Sequence, residues 1–443
     1  MDAINMSSVE KDVQTVINTD YHGYAMYVLE NRAIPSVIDG MKNVHRKLLY
    51  GMLNEYKGKK TKLCDAAGIS KFNYHHGETS AQGAAVTLTA PYNNNVPLFE
   101  GHGNFGSRLI QEAAAARYIF ISLGKDFYKY FSDFEVCDPN SDKDNPEPQT
   151  YLPTIPWVLV NGIEGIAVGF ACKFLPHKPE DLARACMEYI SGKKITPLIP
   201  SFPSFSGTVT EEIPGKYIIS GIVSRVKRNT WEITEVPYGH DRESIFNQLS
   251  KMEDAGIISD FEDNCDKQGF RFTVKMDSVN DAKCAKDPLA FFKLQKSVTE
   301  NYTTLDQFGK LKLFDSKEDI VKYFCDYRLA KIADKLSYDI IKLSSEIKWL
   351  HIKAAFVSDV ASNKINLKDK KKAEWIPVLT EKYKGFNAKP EEVEKLLQIP
   401  VVDMTQDYID NLENKIKDKN AELDNIRKLT PKKVFQDRLK ELT

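Results

Sequence analysis

The sequence predicts a multidomain α+β protein that ends in a pair of long helices. Three observations carry the prediction. The chain has 443 residues, more than one hydrophobic core normally organises, so two to three domains are expected. Its middle mixes strand-like runs with amphipathic helix. Its last third holds an apolar seam in which Cys325, Leu329, Ile332, Leu336, Ile340, Leu343, Ile347 and Leu350 recur at spacings of three and four residues.

Taken in order, residues 1–30 read as a helical arm. Residues 31–150 read as one domain of short helices and glycine-rich turns. Within it, Lys47–Leu53 has apolar positions at helical spacing, and Glu78 opens a second helix. Residues 132–150 are rich in Asp, Asn and Pro, a composition that marks an exposed connection. Residues 151–316 read as a second domain. Tyr217–Val223 and Thr230–Val236 are predicted strands, Asp241–Ala255 a helix, and Gly269–Val274 a further strand. Residues 317–443 begin with the seam. Ile409, Leu412, Ile416, Leu423 and Ile426 repeat its rhythm, with Lys419 in the remaining position. Two such helices flanking a small globular insert predict an antiparallel coiled coil. Coiled coils often serve only as spacers or dimerisers, so this element says little about chemistry.

Composition narrows the function classes. No run of about 18 apolar residues is present, so no membrane span is expected, and the first residues lack the basic-then-apolar pattern of a secretory signal. The seven cysteines are scattered, odd in number and without a Cys-x-x-Cys pair, which argues against a disulfide framework or zinc ribbon and for a reducing cytoplasm. Net charge is −1 overall, but Arg32–Lys71 carries nine basic and three acidic residues. A basic block in a neutral chain suggests an anionic surface to be met there; its plain alternative is a solvated helix face.

Several motifs bear on chemistry. Gly101–Gly106 satisfies a dinucleotide-type glycine pattern, but no strand–helix–strand unit surrounds it, so it reads as a tight loop. Adjacent His75 and His76 chelate one ion poorly and have no third ligand nearby. At the start of a helix they suit a phosphate, which the helix N-terminus attracts. No magnesium-binding carboxylate cluster, P-loop or ATP lid is evident. The informative segment is Glu112-Ala113-Ala114-Ala115-Ala116-Arg117-Tyr118. Small residues leave the backbone accessible. A phenol of pKa about 10 is a poor nucleophile unaided, yet it leaves far better than a sugar hydroxyl. A tyrosyl phosphoester would therefore store the energy of a broken phosphodiester link. An adjacent guanidinium would steady charge on the transferring phosphoryl group. Alone, an Arg-Tyr pair is most often an ordinary helix-end pair.

Five ordered segments resemble the type IIA DNA topoisomerases. They are Arg32–Lys47, Tyr74-His75-His76-Gly77-Glu78, Gly103-Asn104-Phe105-Gly106-Ser107, Ala115-Ala116-Arg117-Tyr118 and Gly165–Phe170. The resemblance runs across nearly the whole chain. It implies a winged-helix cleavage domain at 31–150, an α/β tower at 151–316, and at 317–443 a coiled coil with an inserted dimerisation domain forming a C-terminal gate. Tyr118 would be the nucleophile and Arg117 its transition-state partner. Arg32, Lys42, His45, Arg46, Lys47, His75, His76 and Ser107 would contact DNA. Phe174 would stand where the family has an isoleucine that wedges between base pairs. Asn43 departs from the family's proline. The resemblance further implies double-stranded DNA as substrate, a second copy of the chain, and a separate chain or chains supplying ATP hydrolysis and the Toprim module that binds Mg²⁺. The rival reading is a DNA clamp that kept the fold and lost the chemistry, against which Arg117 and Tyr118 both argue.

Overall fold

The computed structural model describes residues 12–367, 370–400 and 404–443; the first eleven residues of the predicted arm lie outside the described residues. The chain divides into two compact units, Met1–Arg328 with Gln436–Thr443, and Leu329–Phe435.

The first unit opens with a helical run from Val13 to Ala33, with widened turns at Val16–Tyr21 and Leu29–Ala33. A helix at Asn43–Asn54 follows and buries Leu48, Leu49 and Met52 completely. The helix Glu78–Thr89 buries Ala81, Ala85 and Thr89. Small residues on that face let it approach its neighbours closely. Beside these helices lies a three-stranded antiparallel sheet of β1 (Thr61–Lys62), β2 (Phe99–His102) and β3 (Phe120–Leu123), in the order β1-β3-β2. A hairpin of β4 (Ile163–Ile166) and β5 (Ala171–Phe174) comes next.

Two further sheets build the rest of the unit. They use β6 (Thr208–Ile213), β7 (Lys216–Ser220), β8 (Ile222–Lys227), β9 (Thr230–Glu235), β10 (Asp260–Asp263), β11 (Phe272–Lys275) and β12 (Gln295–Thr299). One sheet has the order β12-β7-β6 and the other β10-β11-β9-β8. The predicted strand Tyr217–Val223 is thus two strands in two sheets. The break is at Gly221, whose N–H leaves the ladder and donates to Leu294 O at 2.9 Å. The helix Arg242–Asp254 matches its prediction; Asp241 caps it through Ser244 N.

Residues 31–150 and 151–316, read from sequence as separate domains, share this unit. Asn95 Nδ2 donates to Val160, His177 and Ser201 carbonyls, and Arg108 is paired with Glu235 at 2.7 Å. Residues 132–150 are also more than an exposed connection. Asp138 and Ser141–Asp144 are exposed, but Asp133, Glu147 and Thr150 are buried. The two carboxylates explain why: each meets a buried cation.

A buried polar knot closes the unit where the helix Lys317–Ala361 begins. Lys317 Nζ donates to Leu198 O and to Tyr217 Oη, both at 2.6 Å, and lies 3.3 Å from His177 Nε2. Burial, reinforced by the Lys317 charge, pushes the His177 pKa down to about 3. An unfolded histidine binds a proton below about pH 6.5 while this one stays neutral, so the folded state loses stability as pH falls through that window. Between pH 6.5 and 5 the loss from His177 should be about 2 kcal/mol. Denaturant titrations at both pH values check this: His177→Gln should reduce the difference by that amount, and an unchanged pH dependence would refute it.

In the second unit, residues 329–361 of the helix Lys317–Ala361 continue the seam read from sequence. Leu343 and Ile347 pack with Leu423 of the helix Gln406–Arg427, and further along Ile352 shares a core with Ile409. As one helix advances the other runs back, so the two are antiparallel. Lys419, the polar residue in the seam, pairs with Glu346. A small helical cluster around Trp375, Leu379, Val393 and Leu396 caps this pair.

Candidate active site

Tyr118 sits on a turn immediately before β3, the central strand of its sheet. Residues 111–115 are irregular rather than helical. The turn is fixed by Tyr118 N donating to Ala115 O at 2.9 Å and by Ala114 N donating to Asn104 O at 3.0 Å. The next residue, Ile119, is buried, and its carbonyl accepts from Leu63 N. A rigid sheet thus holds the backbone while the Tyr118 ring is 68% exposed. Arg117 is exposed too, its guanidinium carbon 4.8 Å from the centre of the Tyr118 ring. A nucleophile needs this arrangement of anchored backbone and accessible oxygen.

The glycine loop supports the same turn. Gly103 and Gly106 both have positive φ, which explains the glycines without a nucleotide. Ser107 is exposed and closes a local turn by accepting from Ile110 N at 3.3 Å.

The second group gathers at the N-terminus of the helix Glu78–Thr89. His75 and Arg32 are exposed and His76 is half-buried. Burial, with the charges of Arg32 and His75 nearby, lowers the His76 pKa. Among the described residues no hydrogen bond or ion pair joins this group to Tyr118.

The basic block is less available than its charge suggests. Lys42 is half-buried, and its Nζ donates to Glu164 O at 2.7 Å; burial lowers its pKa. His45 has its pKa pushed down to about 3 by burial and by the Lys42 and Arg46 charges, so it is a neutral ring near pH 7. Arg46 is held by Asp39 at 2.8 Å and by Met41 O at 2.7 Å, with 12% of its side chain exposed. Lys47, expected at a phosphate, is buried. Its Nζ pairs with Glu147 at 2.8 Å and donates to Asn145 Oδ1. In this structure the Lys47 ammonium is thus occupied by protein groups rather than offered to a phosphate as expected. It lies on the inward face of its helix.

Phe174 also needs correction. It is 3% exposed, its ring centre 5.8 Å from that of Tyr302, so in this structure it packs in the core rather than projecting as the expected wedge would. The exposed apolar residues of the hairpin are Ile166, at 78%, and Phe170, at 38%. Sequence reasoning missed Ile166, although Gly165 and Gly169 around it signal the turn that presents it. Directly before Ile166, a Cβ on Gly165 would lie 2.0 Å from Ala33 O, so only glycine allows this approach.

Among the described residues no group of three or more His, Cys, Asp or Glu side chains could hold a metal ion. No helix among the described residues is long and apolar enough to cross a membrane.

Comparison with known proteins gives a consistent answer. A family model described as the A-subunit of DNA gyrase/topoisomerase IV matches residues 32–442. The DNA topoisomerase medium subunit of Enterobacteria phage T4 is 36% identical over 93% of this chain and 94% of its own length. DNA topoisomerase 2 of Plasmodium falciparum is 30% identical over 95% of this chain, which spans only 34% of that enzyme. The crystal structure of the DNA-binding, cleavage and re-ligation domain of Plasmodium falciparum topoisomerase II superposes with a TM-score of 0.88 at 28% identity. It covers 96% of this chain, which in turn spans 63% of that one. The match runs from the end of the Val13–Ala33 helical run to the last helix, and the chain belongs to the A-subunit family of DNA gyrase and topoisomerase IV, whose members break and rejoin DNA as part of type II DNA topoisomerases.

Proposed function

We propose that Tyr118 is the nucleophile with which this protein opens a DNA strand. Its Oη attacks a backbone phosphorus, a P–O–Tyr ester forms on the 5′ side, and the P–O3′ bond breaks as the 3′ oxygen leaves and takes up a proton. The reverse attack by the 3′-hydroxyl reseals the strand without net consumption of a bond. Arg117 stabilises the charge on the transferring phosphoryl group. The observation that carries this reading is an exposed tyrosine on a sheet-anchored turn with a guanidinium against its ring. Arg32, His75 and His76 hold backbone phosphates at the helix N-terminus, with Ser107 beside the nucleophile's loop. Lys42, His45 and Arg46 shape the site from behind rather than as free cations.

Each duplex strand needs its own tyrosine, so the working form holds two copies of this chain. The winged helix, tower and gate implied by the resemblance supply DNA binding and the dimer contacts. Enzymes of this type use Mg²⁺ and ATP; we assign metal-binding carboxylates and ATP hydrolysis to a separate partner chain or chains. Passage of a second duplex through the break changes DNA topology, in the cytoplasm where that DNA lies. The test is covalent trapping. The chain, its partner chain, Mg²⁺ and end-labelled duplex are mixed and quenched with denaturant. A protein-linked 5′ end supports the reading. DNA binding with no adduct would return the protein to the clamp class.

Ile166 takes the wedge role expected of Phe174. Ile166→Ala should reduce DNA bending, read by energy transfer between labelled duplex ends, and change stability by less than about 0.5 kcal/mol. Phe174→Ala should destabilise the first unit by about 3–5 kcal/mol. A Phe174→Ala protein of full stability that no longer bends DNA would overturn this reassignment.

A further inference from the structure

We infer that the loop around residues 133–151 forms a binding site for a small organic cation with a flat apolar body, apart from the DNA-cleaving residues. A cavity of about 560 Å³ lies between this loop and the helix Asn43–Asn54, a size that suits a small ligand. Its walls include Tyr50, Tyr128, Phe134 and Tyr151. Three of these rings form an edge-to-face series: Tyr128 to Phe134 at 6.5 Å and Phe134 to Tyr151 at 6.2 Å. Aromatic faces of this kind attract cations.

Two polar atoms on the lining lack partners. Glu147 is 2% exposed; one oxygen meets Lys47, but Oε2 has no hydrogen-bond partner. Tyr151 is also 2% exposed, and its Oη has none. A buried carboxylate oxygen without a donor is costly, so the cavity favours a ligand that brings N–H groups. Charge selects a cationic donor over a neutral one. Residues 133–147 contain six carboxylates and one lysine, Lys143, and even without Asp133, which two arginines occupy, the balance is strongly negative. An amidinium or guanidinium presents paired donors to a carboxylate and a flat face to the rings.

The floor of the cavity also reaches toward the DNA-binding group. Asn145 accepts from Lys47 and from Asn73 Nδ2 at 3.1 Å, and Asn73 lies two residues before His75.

Benzamidine is the probe, with benzamide as its neutral isostere. Calorimetric titration of the full chain should show benzamidine binding about tenfold more tightly than benzamide. Tyr128→Ala removes an exposed wall and should weaken benzamidine at least about threefold. Glu147→Gln keeps an acceptor for Lys47 and should bring the two affinities to within about twofold of each other. A second readout localises the site without depending on a variant's folding. Bound benzamidine should slow iodoacetamide alkylation of Cys137, which lines the cavity, but not of Cys64 or Cys265. Equal affinity for the two probes, no binding at all, or unchanged Cys137 alkylation at saturation would overturn the assignment. None of these readouts depends on Tyr118, so their failure leaves the cleavage reading intact.

Discussion

Tyr118→Phe should abolish the covalent protein–DNA adduct, by at least about 10³-fold, and leave the fold and DNA affinity intact. The substitution removes a single oxygen. That oxygen makes no hydrogen bond to any described residue, and the ring stands 68% exposed, so stability should change by less than about 0.5 kcal/mol. Backbone phosphates are gripped elsewhere, so salt-dependent binding should persist. Arg117→Lys is the companion experiment. Lysine keeps the charge but loses the planar fork, and adduct formation should fall by about 10²-fold. An adduct that survives in Tyr118→Phe would place the chemistry on another residue. A wild-type adduct whose yield is indifferent to Arg117→Lys would reduce that residue to a neighbour.

Asp133→Asn should cause a large loss of stability, about 3–5 kcal/mol in the unfolding of the first unit. Asp133 Oδ2 accepts from Arg328 Nη2 at 2.7 Å and from Arg438 Nη1 at 2.5 Å, and Oδ1 accepts from Arg438 Nη2 at 3.0 Å. Arg328 is fully buried and already has one Nη1 without a partner. Burial tends to raise the Asp133 pKa, but the hydrogen bonds and charges of Arg438 and Arg328 outweigh it and hold the carboxyl below its ordinary range. The stabilisation from this carboxylate is therefore present above its unfolded pKa of about 3.9 and is lost as pH falls through the folded value. Asparagine tolerates the left-handed φ of +59° at this position, so the substitution tests charge and not backbone strain. Hydrogen exchange should also rise in Gln436–Thr443, whose Arg438 is tied to Asp133. A loss below about 1 kcal/mol would mean that the two guanidinium groups find other acceptors.

The sequence exposed different parts of the molecule unequally, for physical reasons. The seam from Cys325 to Leu350 was legible because helical period and heptad spacing are local properties. The Arg117–Tyr118 pair was legible as residues, but its support was not: the turn depends on Asn104 and Leu63, which lie apart from it in sequence. The strand Tyr217–Val223 looked continuous because no local signal shows that the Gly221 amide is captured by Leu294. Lys42 and Lys47 have the same charge and are five residues apart. One faces the hairpin carbonyl and the other a buried carboxylate. Their difference comes from residues 147 and 164, far along the chain. The burial of Phe174 and the exposure of Ile166 were illegible for the same reason. Strand alternation orders the faces of a hairpin but does not say which end projects into solvent.

The hairpin also has a mechanical consequence. Its first strand is gripped just before Ile166, on one side by the carbonyl of Ala33, against which Gly165 has no clearance for a side chain, and on the other by the Lys42 ammonium on the Glu164 carbonyl. A turn braced directly behind its exposed residue does not swing as a hinged flap. A load applied at Ile166 is not absorbed by local rotation; it is passed into the end of the Val13–Ala33 helical run and into the start of the Asn43–Asn54 helix. Stiffness of that brace, more than the bulk of the side chain, then limits how sharply a duplex pressed against it can be deformed. Gly165→Ala should displace the brace while leaving the Ile166 side chain itself unaltered.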